Sequence, residues 1–164
     1  IQAASVASRR WMTHATIAAA VIVARTGCES EDVMIATKSP LLFAALGGVF
    51  AALSVGAGAF GAHALKAVLD APGHAVYETA ARYQMYHAFA LFVVAWLLRE
   101  TRSGHVARAG WLFCLGIILF SGSLYVVALA GLRWMGALTP LGGVSFISGW
   151  LLVAWAAWQA AWSQ

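Results

Sequence analysis

The chain has 164 residues, of which 62% are hydrophobic and only 10% are charged, and its formal net charge is +4. A soluble domain usually carries about 25% charged residues, so this chain cannot cover itself with a polar, water-facing surface. Its lysines and arginines stand singly or in small groups between apolar runs, which argues against a nucleic acid as partner. The composition predicts an integral membrane protein whose principal partner is the lipid bilayer.

The first 36 residues differ in character from the rest of the chain. Arg9 and Arg10 precede an apolar stretch, residues 15–24, which is too short to span a bilayer and is typical of a signal-peptide core. The sequence RTGC before Cys28 is similar to a lipoprotein processing site, but an arginine stands where such a site needs an aliphatic residue. We interpret residues 1–36 as an N-terminal extension or leader, with a natural translation start at Met34 as the favoured origin of the native chain, which would leave residues 1–33 outside it. The membrane domain is predicted over residues 37–164.

Four long apolar segments follow this extension. A hydrocarbon core of about 30 Å requires about 20 apolar residues per helix, and backbone polar groups in lipid must be paired within the helix. The spans are predicted at about 41–62, 76–98, 109–131 and 139–158. The predicted fold is therefore all-α, an integral membrane bundle of four transmembrane helices.

Short local signals mark the predicted span boundaries. Ser39–Pro40 and Thr139–Pro140 are each typical of an N-cap residue followed by proline at the first helical position. The dipeptide Pro72–Gly73 predicts a turn between spans one and two. The loop between spans two and three is marked by four charged residues, Arg99, Glu100, Arg102 and Arg108.

The distribution of basic residues predicts the orientation in the membrane. With the loop between spans two and three on the cytoplasmic side, both termini are cytoplasmic as well. The cytoplasmic side then carries Lys38, Arg99, Arg102 and Arg108, and the other side carries Lys66, Arg82 and Arg133. Because this bias is small, insertion in both orientations as an antiparallel pair is the alternative.

Five polar residues near the end of span one and in span two form a candidate polar cluster: His63, Glu78, Arg82, Tyr83 and His87. Glu78 and Arg82 are four residues apart, as are Tyr83 and His87, so each pair shares one helix face. Ionisable groups in membrane spans are costly and often functional. We predict that this cluster ties spans one and two together, with proton or ligand handling as the alternative. Two distant histidines are weak support for a metal site.

Glycine and serine recur in spans one, three and four, and they predict close helix packing, because helices in lipid associate through van der Waals contact. The candidate packing residues are Gly47, Gly48, Gly56, Gly58, Gly61, Gly116, Ser121, Gly122, Ser123, Gly142, Gly143 and Gly149. A substrate-lining groove is the alternative interpretation. The sequence holds no HExxH helix, P-loop, nucleophile elbow or dinucleotide fingerprint. We therefore expect no catalytic residue, no metal, no cofactor and no enzymatic activity.

Four segments in order resemble a known family. They are GAFGAHAL (58–65), YETAARYQMYHAFALF (77–92), LFSGSLYVVAL (119–129) and TPLGGVSFISGW (139–150). They resemble the YgdD/YwdK family of small inner-membrane proteins, also called domain of unknown function four-two-three and related to the eukaryotic transmembrane protein two-five-six group. The resemblance covers roughly residues 34–158 and implies a four-span protein of the bacterial inner (plasma) membrane. It assigns no role to the matching His63, Tyr77, Tyr83 and His87.

Together these patterns predict a multi-pass integral membrane protein with a structural or accessory role, acting as a homo-oligomer or with a membrane-protein partner. The alternative is a small transporter or channel that uses the candidate polar cluster. Four helices leave little room for an aqueous path within one protomer, so transport would require an oligomer.

Overall fold

A computed structural model describes residues 40–162, which belong to one compact unit of the chain, Ser39–Gln164. Four long helices make up most of it: α1 (Pro40–His63), α2 (Ala71–Thr101), α3 (Gly104–Ala130) and α4 (Thr139–Trp162). No strand occurs between residues 40 and 162. The predicted all-α bundle of four helices is confirmed. The predictions about residues 1–36, the start at Met34 and the cap at Ser39 concern residues outside the described range.

Helix α2 lies at the centre of the bundle. It packs on α3 and α4, and it is hydrogen-bonded to α1 through Ser54 and Gln84. The largest fully buried side chains come from three helices, Phe43 of α1, Leu91 and Val94 of α2, and Val106 and Phe113 of α3. The core is thus filled by aliphatic and aromatic groups around the middle of α2.

Three of the four helices, α1, α3 and α4, are long and apolar enough to cross a membrane by length and composition alone. Helix α2 is not among them, although its 31 residues make it about 46 Å long. Polar residues such as Gln84 and His87 interrupt its apolar sequence, but both side chains are buried inside the bundle. Polar groups in membrane proteins face the bundle interior in this way, so Gln84 and His87 do not prevent α2 from crossing the membrane as the fourth predicted span, whereas Glu78 and Arg82 nearer its start are exposed.

The connection between α1 and α2 corrects one prediction. The chain turns through a 3₁₀ helix, Leu65–Ala67, and α2 begins after Asp70, whose carboxylate accepts the Gly73 N–H at 2.9 Å. Proline is tolerated in a first helical turn, where the N–H has no acceptor within the helix. The predicted turn at Pro72–Gly73 is therefore wrong, because these two residues form the first turn of α2.

The connection between α2 and α3 is shorter than the sequence suggests. Only Arg102 and Ser103 separate the two helices. Arg102 adopts a left-handed conformation with φ of 50°, and its N–H donates to the Leu98 carbonyl at 2.9 Å, which ends α2. The other charged residues expected in this loop lie within helices: Arg99 and Glu100 at the end of α2, and Arg108 near the start of α3.

Helix α3 changes its winding near the middle. It is α-helical over Gly104–Gly116 and Gly122–Ala130, with a π-helical turn over Ile117–Ser121. At this turn α4 comes very close, because a Cβ atom on Gly142 would lie 2.5 Å from the backbone nitrogen of Phe120. The absence of a side chain at Gly142 is what permits the approach.

The start of α4 corrects a second prediction. A 3₁₀ helix, Arg133–Leu138, runs directly into α4, and Thr139 already has helical dihedrals, φ −57° and ψ −44°. An N-cap residue instead has an extended backbone and uses its side-chain oxygen to accept a backbone N–H. The hydroxyl of Thr139 lies 2.9 Å from Ser123 Oγ. The prediction that Thr139 is an N-cap is therefore wrong, and the hydroxyl joins α4 to α3.

Candidate functional site

A row of four hydrogen bonds joins α1 to α2. Each connects a side chain of one helix to a backbone carbonyl of the other: Gln84 Nε2 to Phe50 (2.9 Å), Ser54 Oγ to Ala81 (2.7 Å), Tyr77 OH to Ala57 (3.1 Å) and His74 Nε2 to Gly61 (3.1 Å). We call these eight residues the α1–α2 seam. Successive partners are three or four residues apart on both helices, so they occupy one face of each. Residue numbers rise along α1 as they fall along α2, as antiparallel neighbours require.

The seam stabilises the contact between two helices that lipid alone would not drive together. A hydrogen bond between membrane helices contributes about 0.6 kcal/mol on average and up to about 1.7 kcal/mol. Four such bonds therefore contribute about 2–3 kcal/mol. At one end of the seam a Cβ on Gly61 would lie 2.9 Å from Tyr77 Cε1. The missing side chain at Gly61 gives the Tyr77 ring its place against α1.

A neighbouring face of α2, turned toward α3 and α4, carries a second cluster, centred on His87. Its ring stacks on Phe146 of α4, with centroids 3.4 Å apart and planes 6° from parallel, and it lies 5.8 Å from the Phe113 ring. His87 Nδ1 is 2.8 Å from the Tyr83 carbonyl. Because a carbonyl can only accept, Nδ1 carries the proton and Nε2 is the acceptor nitrogen in the neutral ring. This His87 cluster joins α2 to α3 and α4.

Hydroxyl groups around the π-helical turn fall into two kinds. Ser123 Oγ donates to the Phe120 carbonyl at 3.0 Å and contacts Thr139, and Ser145 Oγ donates to the Leu112 carbonyl at 2.8 Å. Ser121 Oγ and Tyr125 OH are buried, and neither has a hydrogen-bond partner within residues 40–162. The first kind joins or stabilises helices, whereas the second leaves hydroxyl groups unused.

These two kinds of serine give opposite predictions for alanine variants. Ser121→Ala removes a hydroxyl without a partner, so the free energy of unfolding should change by less than about 0.5 kcal/mol or increase. Ser54→Ala removes a seam bond and should lower it by about 1 kcal/mol. Equilibrium unfolding in mild detergent micelles measures both variants. Equal losses for the two variants would show that these hydrogen bonds do not determine how much each serine contributes to the free energy of unfolding.

The five residues of the candidate polar cluster are not gathered at one place. His63 is exposed at the end of α1, and Glu78 and Arg82 form an exposed pair 4.0 Å apart. Tyr83 stacks on Phe120 of α3, with ring centroids 4.7 Å apart, and His87 stacks on α4. The prediction that this set forms one cluster tying α1 to α2 is therefore wrong; Glu78 alone reaches that contact, where its carboxylate lies 3.6 Å from Nδ1 of the seam residue His74. The rotation of α2 turns Tyr83 and His87 toward α3 and α4, and the seam makes the connection to α1.

The candidate packing residues divide into contacting and open positions. Gly47, Gly61, Gly116, Gly142 and Gly149 lie against a neighbouring helix, and Ser123 is hydrogen-bonded across to α4. At five other positions an added Cβ would meet no atom within 4 Å: Gly48, Gly56, Gly58, Gly122 and Gly143. The prediction of close packing at these positions is therefore wrong within one protomer. Ser121 is fully buried.

Sequence reasoning missed several residues that hold helices together. Gly110 packs against the Phe43 ring, and Ser54, His74 and Gln84 belong to the seam. A signal existed for Gln84, because an amide within an apolar run must find a partner in the bundle. The acceptors are backbone carbonyls, which carry no sequence signature.

Titratable groups between residues 40 and 162 do not converge on a metal site, and a surface groove lies near one end of the bundle. No group of three or more His, Cys, Asp or Glu residues there is placed to hold a metal ion. A surface groove of about 330 Å³ lies between the start of α2 and the end of α3, at the end of the bundle opposite the Arg102–Ser103 connection. Its lining comprises Asp70, Pro72, Gly73, Val76, Val127, Ala128, Gly131 and Arg133. Asp70 already serves there as the cap of α2.

The fold and these contacts define a multi-pass membrane protein, a bundle of four helices held by interior polar and aromatic contacts. Residues 57–143 match the family model described as "Protein of unknown function (DUF423)". The chain is 47% identical to the "UPF0382 membrane protein YwdK" of Bacillus subtilis over 117 residues, which cover 71% of this chain and 95% of the relative. The chain belongs to this family, and the predicted resemblance is confirmed.

A second relative gives the same result. The "UPF0382 membrane protein SH2409" of Staphylococcus haemolyticus is 47% identical over 112 residues, covering 68% of this chain and 91% of the relative. No solved structure is significantly similar to the chain.

Proposed function

We propose that the protein is a non-enzymatic, structural or accessory component of the bacterial inner membrane. The observation that carries this proposal is the α1–α2 seam. Four side chains capable of proton exchange or ligand binding, those of Ser54, His74, Tyr77 and Gln84, are each bonded to a backbone carbonyl of the neighbouring helix. Groups committed in this way hold helices at fixed positions; the second ring nitrogen of His74, Nδ1, lies 3.6 Å from the exposed Glu78 carboxylate at the end of the seam.

The packing of the interior supports the same proposal. Leu91, Val94 and Phe113 are fully buried, and His87 stacks on the Phe146 ring and lies 5.8 Å from the Phe113 ring. A transport path or a catalytic chamber requires connected polar surface, whereas this region is closed by apolar side chains. In an accessory role the protein would bind either a second copy of itself or another membrane protein.

We infer that both termini lie on the cytoplasmic side. Support comes from the basic residues Arg99, Arg102 and Arg108 around the connection between α2 and α3, since cytoplasmic loops are enriched in lysine and arginine. A C-terminal alkaline phosphatase fusion, which is active only outside the cytoplasm, should be inactive, and a fusion after Val68 should be active. The reverse pattern would contradict this orientation, and activity of both fusions would indicate insertion in both orientations.

Reconstituted liposomes test the structural role against proton transport. We expect no proton flux above that of protein-free vesicles under an imposed pH gradient. His87→Gln and His63→Ala should leave this result unchanged, with circular dichroism verifying that each variant is folded. Flux that His87→Gln abolishes and His63→Ala preserves would overturn the structural proposal and identify the His87 cluster as a transport element.

Transport by an oligomer is the second candidate, and one observation favours it. Ser121 and Tyr125 present buried hydroxyl groups without partners one helical turn apart on α3, at or next to the π-helical turn. Such turns are frequent at functional sites. If flux occurs, loss of flux in the double variant Ser121→Ala/Tyr125→Phe would assign it to these hydroxyls.

A further inference from the structure

The end of the bundle where α2 meets α3 carries an uncompensated group of arginines. Arg99, Arg102 and Arg108 are all exposed there, and none of them forms an ion pair within the described part of the chain. Glu100 is the single acidic residue among them. Three guanidinium groups thus lie at one end of the bundle, close to the membrane surface, with one carboxylate among them.

Two tryptophans accompany the arginines at a regular spacing. Trp96 lies three residues before Arg99 on α2, and Trp111 lies three residues after Arg108 on α3. On each helix the arginine is therefore about 4.5 Å nearer to the connection than the tryptophan is. Both indole rings are exposed, at 63% and 55%. Exposed tryptophan in a membrane protein is typical of the interface between headgroups and acyl chains. We call these five residues the arginine–tryptophan rim.

The other end of the bundle differs in charge. Lys66, Arg82 and Arg133 are accompanied there by two acids, Asp70 and Glu78. Arg82 pairs with Glu78 at 4.0 Å, and Asp70 and Arg133 line the same groove. The positive charge of this end is therefore compensated more fully than that of the rim, although the number of basic residues is the same.

We propose that the arginine–tryptophan rim binds the headgroups of anionic phospholipids. A guanidinium group donates paired hydrogen bonds to phosphate oxygens, and the indoles one turn deeper contact the glycerol region and the upper acyl chains. A free phosphate ion would engage the arginines alone and leave both indoles uncovered, so the rim fits a lipid and not the isolated anion. This inference depends on the membrane fold and is independent of the structural role proposed above.

Native mass spectrometry of the detergent-solubilised full chain tests the proposal with phosphatidylglycerol and phosphatidylcholine as probes. Each basic residue is attracted to an anionic membrane surface. The attraction of three arginines predicts a preference of about tenfold or more for phosphatidylglycerol over phosphatidylcholine. The triple variant R99Q/R102Q/R108Q should reduce this preference to about twofold or less. These side chains are exposed, so their replacement leaves the core unchanged.

A matched variant separates the rim from general charge. K66Q/R82Q/R133Q removes the same number of positive charges from the other end and should keep the preference within about twofold of the unmodified protein. Equal binding of the two lipids by the unmodified protein would overturn the proposal, as would equal losses in both triple variants. Displacement of phosphatidylglycerol by millimolar inorganic phosphate would also overturn it, because it would identify the site as one for a free anion.

Discussion

Gly142→Ala is expected to destabilise the bundle by about 1–3 kcal/mol, the usual cost of forcing additional atoms into a well-packed interior. A Cβ at this position would lie 2.5 Å from the backbone nitrogen of Phe120 and 2.7 Å from its Cβ. Backbone atoms cannot rotate away as a flexible side chain can, so α3 and α4 would have to separate at the π-helical turn. Thermal unfolding in detergent should show a clear loss of stability, and Gly142→Val should show a larger one.

The neighbouring residue provides the control for this prediction. A Cβ on Gly143 would meet no atom within 4 Å, so Gly143→Ala adds the same methyl group without a clash. Because alanine has the higher helix propensity, its effect should be neutral or slightly stabilising. If both variants lost stability equally, the loss would not depend on the contact between Gly142 and Phe120. The close approach of α3 and α4 would then be contradicted.

Phe113→Ala is the second large effect, with an expected loss of about 2–4 kcal/mol in the free energy of unfolding. Phe113 is fully buried, its ring meets Trp150 edge-on at 5.1 Å, and it lies close to His87. Lipid is as apolar as the protein interior, so the loss comes from the cavity and the missing ring contacts and not from exposure to water. Unfolding by steric trapping in bicelles measures this quantity.

Phe89→Ala is the matched control for Phe113→Ala. Phe89 also lies in a membrane helix, but 57% of its surface is exposed toward lipid. Its removal should cost less than about 1 kcal/mol because lipid chains fill the space. Similar losses for the two variants would mean that Phe113 is not the interior residue described here.

The number and type of elements could be predicted from the sequence because a bilayer allows few solutions. Charge-free runs of about 20 residues in lipid must form helices, and residues 41–62 are such a run. Helix α2 was predicted from a shorter charge-free run, residues 83–98, extended toward His74 across Glu78 and Arg82, and Gln84 and His87 reduce its apolar character further. The requirement that polar groups face inward explains why such a helix can still cross the membrane.

The rotation of each helix about its axis could not be predicted in this way. Tyr83 and His87 share a face of α2, but the sequence does not show whether that face meets α1 or the pair α3 and α4. The decision depends on contacts far apart in the chain, such as His87 on Phe146 and Gln84 on the Phe50 carbonyl. For this reason the five residues of the candidate polar cluster lie at different places in the structure, and the α1–α2 seam was not predicted.

Local signals failed where tertiary structure gave the same residues a different use. Thr139 before Pro140 has the pattern of a helix cap, but the preceding 3₁₀ helix leaves it no extended backbone. Pro72 and Gly73 have the pattern of a turn, but Asp70 caps a helix that already includes them. In both cases the residue types were compatible with two structures, and the neighbouring segment selected one.

Cysteine accessibility tests the central claim, a lipid-embedded bundle in which α2 spans the membrane as the fourth helix. Cys28 and Cys114 are first replaced with alanine, and Val68→Cys, Ser103→Cys and Leu132→Cys are then introduced one at a time. A membrane-impermeant maleimide added to sealed membranes should label Val68→Cys and Leu132→Cys from one side and Ser103→Cys from the other. Labelling of Val68→Cys and Ser103→Cys from the same side would show that α2 does not cross the membrane.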